Sequence, residues 1–582
     1  MGSEHSFCGI ALVISFLVLT LLPVKALRGG AAALFQLPAG PSTDALKAEF
    51  LAKYGDRYGY GGRIDHLYAS EIGQRLGPDE HYMDFTAAAL YWNSQVANAT
   101  AQLQQHVFGN PHSASPSSVR TDELVEATRR DLLQFFGADP KEYTLIFTRS
   151  GTGALRMLGE AFPWTPQSSF TFLTSNHNSL LGIREYAKAH NASIGSISEA
   201  EVEQWLYSTG AVASRAGRSL AAADAPAGTT PDTAAQHAAQ DTAETKSGEP
   251  AYSLFGYPAY DNYAGVMYPL SWVKEVQARS NKTHVWKVLL DAAAYVPTHK
   301  LNLTETPADF VDLSFYKLFG YPTGIGALIL RTENLHFLRK LYWGGGSVFL
   351  ATAALDWRYF RHAPHSYEHG TLPFLDIIAL SHGRKVYKQL GGVEAVQAHV
   401  AAVVEYLFDE LAKLRHSNGA PLVRVFGKHA HANRQAWVKM LEEMHEVQGA
   451  TINFEVLGTT GRVLGYRQIG AQLGEAGFHI RTGCTCNPGA CYEATGVRDE
   501  EVRQLAEQKE GHFENWEWIW VHRNKLTKLP LGSLRVSLGM MSRWEDAHAL
   551  VGFIKGRYTD VEVLEEPLYD QELPSHVYPG WC

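Results

Sequence analysis

Asp291 and Lys317 are the residues of the 582-residue chain whose types and surroundings first suggest joint chemistry. Asp291 ends the apolar run Val288-Leu289-Leu290. Lys317 stands in Ser314-Phe315-Tyr316-Lys317, ahead of the turn-rich Gly320-Tyr321-Pro322-Thr323-Gly324-Ile325-Gly326. A carboxylate at the C-terminal end of a strand faces the ligand crevice of an open α/β sheet, and a lysine one short element later reaches the same crevice. Pyridoxal phosphate chemistry requires this pair: an amine to form the Schiff base, and an anion to keep the pyridine nitrogen protonated so that the ring serves as an electron sink. Either residue alone is more often a surface charge. A dinucleotide loop fits poorly, because the glycines after Lys317 lead into a strand and not a helix.

Two more segments carry chemistry. Thr148-Arg149-Ser150-Gly151-Thr152-Gly153 follows the apolar run Leu145-Ile146-Phe147 and opens a helical pattern. Small residues there offer backbone N–H groups and the positive end of a helix dipole to a phosphate, though an ordinary capped turn has the same composition. Arg481-Thr482-Gly483-Cys484-Thr485-Cys486-Asn487-Pro488-Gly489-Ala490-Cys491 sets thiols between glycines and beside a cation, which suits a mobile, activatable thiolate. The C-x-C-x4-C spacing also allows a metal clamp, yet a fourth ligand at zinc-finger spacing is missing. His362, His365 and His369 with Glu368 could suggest a metal cluster, but the histidines read as exposed loop residues.

The elements that must position these residues are legible in the apolar pattern. Runs at 144–147, 252–257, 285–290, 310–314 and 326–330 read as strands, and Leu124, Val125, Leu132, Leu133 and Phe136 have helical spacing. Strands alternating with helices imply an α/β fold, a mostly parallel sheet between helices, over residues 40–380. Residues 381–556 look like a smaller α+β domain carrying the cysteine loop. Residues 210–250, rich in Ala, Thr, Gly and Asp, are expected to be a disordered insertion, and 557–582 a tail disordered from Asp560 on.

Composition bounds the rest. With 51 Lys+Arg against 60 Asp+Glu the net charge is −9, and no basic block offers a footprint for nucleic acid. Five cysteines are too few for a disulfide framework, which points to a reducing compartment. Cys8 to Val24 is a run of about 17 mostly apolar residues, at the short limit for a spanning helix. Glu4 precedes it and Lys25 and Arg28 follow, so the positive-inside rule favours an N-terminal anchor with the body facing the cytosol. A cleaved targeting segment within residues 1–30 is the second reading, and a buried helix the third.

Taken together, Asp291, Lys317, Thr152 and the Cys486 loop resemble the class V pyridoxal-phosphate enzymes, specifically the cysteine desulfurases, and most closely the amino-terminal desulfurase domain of the molybdenum cofactor sulfurases. The segments that carry the likeness are Tyr82-Met83-Asp84-Phe85 with Ala87-Ala88-Ala89, Gly109-Asn110-Pro111-His112-Ser113, Ser314 to Lys317 with its glycine-rich tail, Arg481 to Cys491, and Arg535-Val536-Ser537-Leu538-Gly539.

The resemblance implies a fold-type-I architecture with pyridoxal 5'-phosphate as cofactor. It makes Lys317 the Schiff-base lysine, Asp291 the partner of the pyridine nitrogen, His177 the residue stacked on the ring and Asn262 the contact to the ring oxygen. Gly151, Thr152 and Ser314 would hold the phosphate, with Thr371 donated by a second subunit of a homodimer. Arg481 would clamp the substrate carboxylate. Cys486 aligns with the persulfide-forming cysteine, and Cys484 is the rival two positions away.

The implied activity takes sulfur from L-cysteine as a persulfide on Cys486 and releases L-alanine, for molybdenum cofactor or a separate acceptor protein. Ala294 stands where many desulfurases have glutamine, and Tyr316 where histidine commonly precedes the lysine. The chain ends at Cys582, without room for the carboxy-terminal domain that binds molybdenum cofactor. Another class V aminotransferase or lyase, or an inactive membrane-tethered scaffold, are the alternative readings.

Overall fold

Seven apolar runs form one sheet: β1 (Tyr143–Thr148), β2 (Ser169–Leu173), β3 (Ser193–Ile197), β4 (Ala251–Pro258), β5 (His284–Asp291), β6 (Phe310–Ser314) and β7 (Gly326–Arg331). The computed structural model describes residues 42–207, 250–428, 446–508, 517–522 and 526–562. The apolar run Cys8 to Val24, nearly all of the insertion and most of the tail lie outside these residues. Among the described residues, no helix is long and apolar enough to cross a membrane. Contacts divide the chain into Met1–Phe50 and Leu51–Cys582, and the second unit holds everything described below.

The strand order is β1-β7-β6-β5-β4-β2-β3, parallel throughout except for β7, which runs antiparallel to both neighbours. The central strands are apolar because both faces are covered: all five residues of β6 are buried, as are the last four of β5. Leu254, Leu289, Phe310 and Leu328 pack in one cluster with Leu155 and Leu158 of a covering helix. Each such side chain contributes roughly 1.5–3 kcal/mol by leaving water.

Five helices matter for the site: α1 (Pro116–Phe135), α2 (Gly151–Ala161), the short α3 (Phe315–Phe319), α4 (Phe374–Leu390) and α5 (Pro488–Thr495). α2 follows β1 and α3 follows β6, so both begin at the sheet edge where the parallel strands end. β7 starts at that edge between them, with Gly326 opposite both Thr148 and Ser314. A Cβ on Gly326 would stand 2.3 Å from the Ser150 carbonyl carbon and 2.6 Å from the Gly151 nitrogen. Glycine at 326 is what lets the loop after β1 cross over β7.

A second sheet has the order β8-β9-β11-β10, all antiparallel: β8 (Val423–Val425), β9 (Thr451–Val456), β10 (Arg481–Gly483) and β11 (Ser533–Ser537). Its register sets Arg481 opposite Arg535, and a bridge from Asp84 to Ser537 carries Asp84 beside them.

The last helix runs to Tyr558, and Asp560 just beyond it accepts a hydrogen bond from the Ser417 amide at 2.8 Å. Glu368 is buried and accepts from Arg129 of α1 at 2.7 and 3.1 Å and from the Phe147 amide at 2.9 Å, a strut behind β1. Among the described residues no cluster of three or more metal-ligating side chains occurs.

Candidate active site

The loops at the C-terminal sheet edge surround a cleft lined by Gly151, Thr152, His177, Asn262, Asp291, Ser314 and Lys317. The sequence therefore placed seven of its candidates in one cavity. Lys317 projects from α3, which Gly320 stops with φ +74; a Cβ there would lie 2.6 Å from the Tyr91 nitrogen, so the turn needs glycine for both conformation and space. Asp291 is buried at the end of β5, and its Oδ1 accepts from the Ala293 amide at 3.0 Å. Burial raises its pKa while the Lys317 charge opposes the rise.

At the other end of the cleft, Ser150 caps α2 by accepting from the Gly153 amide at 3.0 Å, and the Gly151 amide donates to Ser314 Oγ at 3.1 Å. The Thr152 hydroxyl pairs with Ser179 Oγ at 2.8 Å. This N-terminus supplies N–H groups and hydroxyls suited to a phosphate.

His177 forms the opposite wall. The Ser179 amide donates to its Nδ1 at 3.1 Å, which leaves the proton of the neutral ring on Nε2. Burial, helped by the Lys317 and Arg535 charges, pushes its pKa down to about 3, so the imidazole is neutral at physiological pH.

The cysteine loop closes over this wall. Thr485 and Cys486 both adopt left-handed backbone, φ 50° and 60°, which non-glycine residues rarely do. The strain persists because the loop is tied down: the Cys486 carbonyl accepts from the Asn178 amide at 2.8 Å, the Thr485 carbonyl from Asn262 Nδ2 at 2.5 Å, and Asn487 donates to Asn262 Oδ1 at 3.2 Å. Asn262 thus spends its amide on the loop as well as lining the cleft.

The same turn brings the Cα atoms of Cys484 and Cys491 to 5.2 Å, where they form a disulfide. This bond takes two of the three thiols that a metal clamp would need. Cys486 lies outside this bond as a half-buried thiol.

Two candidates lie away from the cleft. Arg481 is 40% exposed and gives both Nε and Nη2 to Asp84 Oδ2 at 3.2 and 3.0 Å. Thr371 accepts from Asn110 Nδ2 at 3.3 Å and borders a separate cavity with Arg149 and Lys340.

Sequence reasoning passed over two residues. Arg535 is 3% exposed, bonds Asp84 Oδ1 at 2.9 Å and the Asn262 carbonyl at 2.8 Å, and leaves its buried Nε without a partner. It stood inside a quoted motif with no sign that it pointed inward. Asp312 is a buried carboxylate in β6 that lines the cleft, visible in sequence only as a charge inside an apolar strand.

An amine, a buried carboxylate, a neutral imidazole and a capped helix N-terminus suit one cofactor type, and the orphaned buried Oδ1 of Asp312 shows that the cleft has polar capacity to spare. Residues 81–211 and 229–550 match the sequence model of the class-V aminotransferases. The chain belongs to the aminotransferase class-V family.

Its cofactor is accordingly pyridoxal phosphate. The chain is 36% identical over 510 residues to a molybdenum cofactor sulfurase from Bos taurus, covering 85% of this chain and 52% of that protein. It is 33% identical over 531 residues to one from Oryza sativa subsp. japonica, covering 89% and 61%. The chain thus spans between about half and three-fifths of these relatives' length.

Among solved structures it is similar to the apo cysteine desulfurase from Thermococcus onnurineus NA1, with TM-score 0.60 at 16% identity over 85% of this chain and 98% of the other. The S-sulfonic acid form of a cysteine desulfurase from Escherichia coli gives TM-score 0.58 at 18% identity, with the same coverage. These likenesses establish the fold-type-I architecture.

Proposed function

We propose that this chain is a cysteine desulfurase that takes sulfur from L-cysteine onto Cys486 and releases L-alanine. The observation that carries the reading is the Cys484–Cys491 disulfide, which leaves Cys486 as the thiol of a loop anchored at Asn178, next to the His177 wall. A transaminase would need no thiol there.

Bound in the cleft, pyridoxal phosphate supplies an electron sink that acidifies the substrate Cα proton. Lys317 would hold the cofactor covalently, Asp291 its ring nitrogen, and Gly151, Thr152 and Ser314 its phosphate. Neutral His177 offers a flat, uncharged face for the ring. The Lys317 amine would take the Cα proton and later return it. Arg481 would exchange Asp84 for the substrate carboxylate, keeping a two-pronged geometry. The Cys486 thiolate would attack the substrate Sγ: the new S–S bond forms as the Cβ–S bond breaks, its electrons go to Cβ, and protonation at Cβ together with return of the proton to Cα yields alanine.

Thr371 serves the phosphate of a second copy. In support, Phe349, Leu350, Trp357 and Tyr359, on or beside the hairpin between β7 and Thr371, are exposed apolar side chains that a dimer would cover. The persulfide passes to molybdenum cofactor or to a separate acceptor protein, and Cys8 to Val24 anchors the chain with its body in the cytosol.

The test is alanine and sulfide release from L-cysteine by the full chain, compared with Cys486→Ala. The variant should keep the cofactor's visible band and release no sulfide; undiminished sulfide release overturns the assignment.

A further inference from the structure

The cleft holds one acid more than its chemistry has used. Asp291 and Asp312 are paired residues of the parallel ladder between β5 and β6, so their side chains leave the same face of the sheet, about 4.8 Å apart at the backbone. Both line the cleft. Asp312 is 1% exposed. Its Oδ1 has no hydrogen-bond partner, and its Oδ2 lies 3.1 Å from where a Cβ on Gly151 would stand, so it fills the space between Asp291 and the phosphate loop.

The groups facing it can be named. Asp291 comes from β5 and Lys317 from α3; His177, across the cleft, is neutral; Tyr260 and Tyr316 complete the titratable set; the start of α2 brings only Gly151 and Thr152. One lysine cannot compensate two adjacent buried carboxylates, and it loses its free amine on binding the cofactor. One of the two acids must keep its proton. Asp291 has the Ala293 amide to steady its charge, whereas the inner oxygen of Asp312 has nothing. Burial and the Asp291 charge accordingly hold Asp312 well above the usual carboxylate range.

We propose that Asp312 is a positioning residue for the cofactor's ring nitrogen: as a neutral carboxylic acid it donates a hydrogen bond to the Asp291 carboxylate and keeps that group ionised. Burial alone makes Asp291 more basic, which would draw the proton from the pyridine nitrogen and blunt the electron sink. A donor from Asp312 reverses that tendency and leaves the proton on the ring. No atom is transferred; the two acids share one proton behind the nitrogen.

The inference deepens the cofactor assignment and rests on it, so the two are tested separately. If the wild-type chain acquires no visible band on adding pyridoxal phosphate, the cofactor assignment itself fails. Given the band, the ring nitrogen is read by nitrogen-15 NMR of labelled cofactor bound to the full chain, and affinity by titrating apoprotein with pyridoxal phosphate. Asp312→Asn keeps a donor without a titratable proton: it should retain the wild-type pyridinium signal and an affinity within about twofold. Asp312→Leu removes the donor at similar volume: its signal should move toward neutral pyridine, with affinity about tenfold weaker, the order expected for losing a hydrogen bond to a charged group. Asp312→Ala reads the same way should the leucine variant not fold. A donorless variant that keeps the wild-type signal overturns the proposal, and so does an asparagine variant that moves as far as leucine, because Asp312 would then act as an anion.

Discussion

The floor of the cofactor cleft and the cysteine loop meet at neighbouring residues, His177 and Asn178, yet they are held by opposite means. The floor is built from ladder register and burial: Asp291 and Ser314 end central strands and Asp312 lies within one, with the two carboxyl groups set by desolvation. The loop is built from local strain and cross-links, two left-handed residues pinned by a disulfide and by amides from Asn178, Asn262 and Asn487. An electron sink works only if its charges do not move, whereas a thiol that collected sulfur and handed it on, as proposed for Cys486, would have to travel. On that reading, rigidity lies where charge is stabilised and stored strain where motion would be required.

Substitutions should break the two regions differently. Lys317→Ala strikes the floor and carries the largest effect: the Schiff-base absorbance disappears and alanine release falls by about 10³-fold or more, within the range for losing a positioned acid–base group. Cys486→Ala strikes only the loop. It should stop sulfide release and slow alanine formation by about 10²-fold while the absorbance band stays intact, as checked by spectrum and product assay on one preparation.

The wall between the regions gives a pH signature. His177 titrates near 6.5 when unfolded and at about 3 when folded, so between those values the unfolded chain binds the extra proton and stability falls as pH falls. Urea unfolding at pH 4–6 should lose up to about 1.4 kcal/mol per pH unit more steeply in wild type than in His177→Gln. Equal slopes would place a charged imidazole in the wall. The smallest effect is expected from Cys484→Ser with Cys491→Ser, which frees the loop without touching the floor. Turnover should drop roughly fivefold, far less than the 10²-fold that a displaced reacting group costs, with the absorbance unchanged.

The same contrast explains what could be read from sequence. The floor was legible because burial leaves a pattern: the run ending in Asp291 and the segment around Lys317 are apolar strands interrupted by single functional groups, and both were found where the structure has them. Asp312 escaped because one acid inside an apolar strand carries no spacing signal until its ladder partner is known. The loop was legible only as chemistry. Arg481 to Cys491 announced a thiol site, but three cysteines in eight positions allow several pairings, and the choice of Cys484 with Cys491 depends on the left-handed turn at Thr485 and Cys486. Arg535 required tertiary structure, since its inward direction follows from its pairing with Arg481 across β10 and β11.

Asp84 joins the beginning of the chain to its end. It holds Arg481, 397 positions away, and Arg535, 451 positions away, while the Gly151 amide reaches Ser314 across 163 positions. Closing segments of such length delays these links in folding. On the ribosome, the nascent chain therefore presents the phosphate loop first, gains its lysine only after Ser314 has emerged, and leaves Asp84 without its two arginines until Arg535 has followed. On the proposed roles, the capacity to retain the cofactor is acquired before the capacity to grip a substrate, so a product truncated before Arg535 would lack the second.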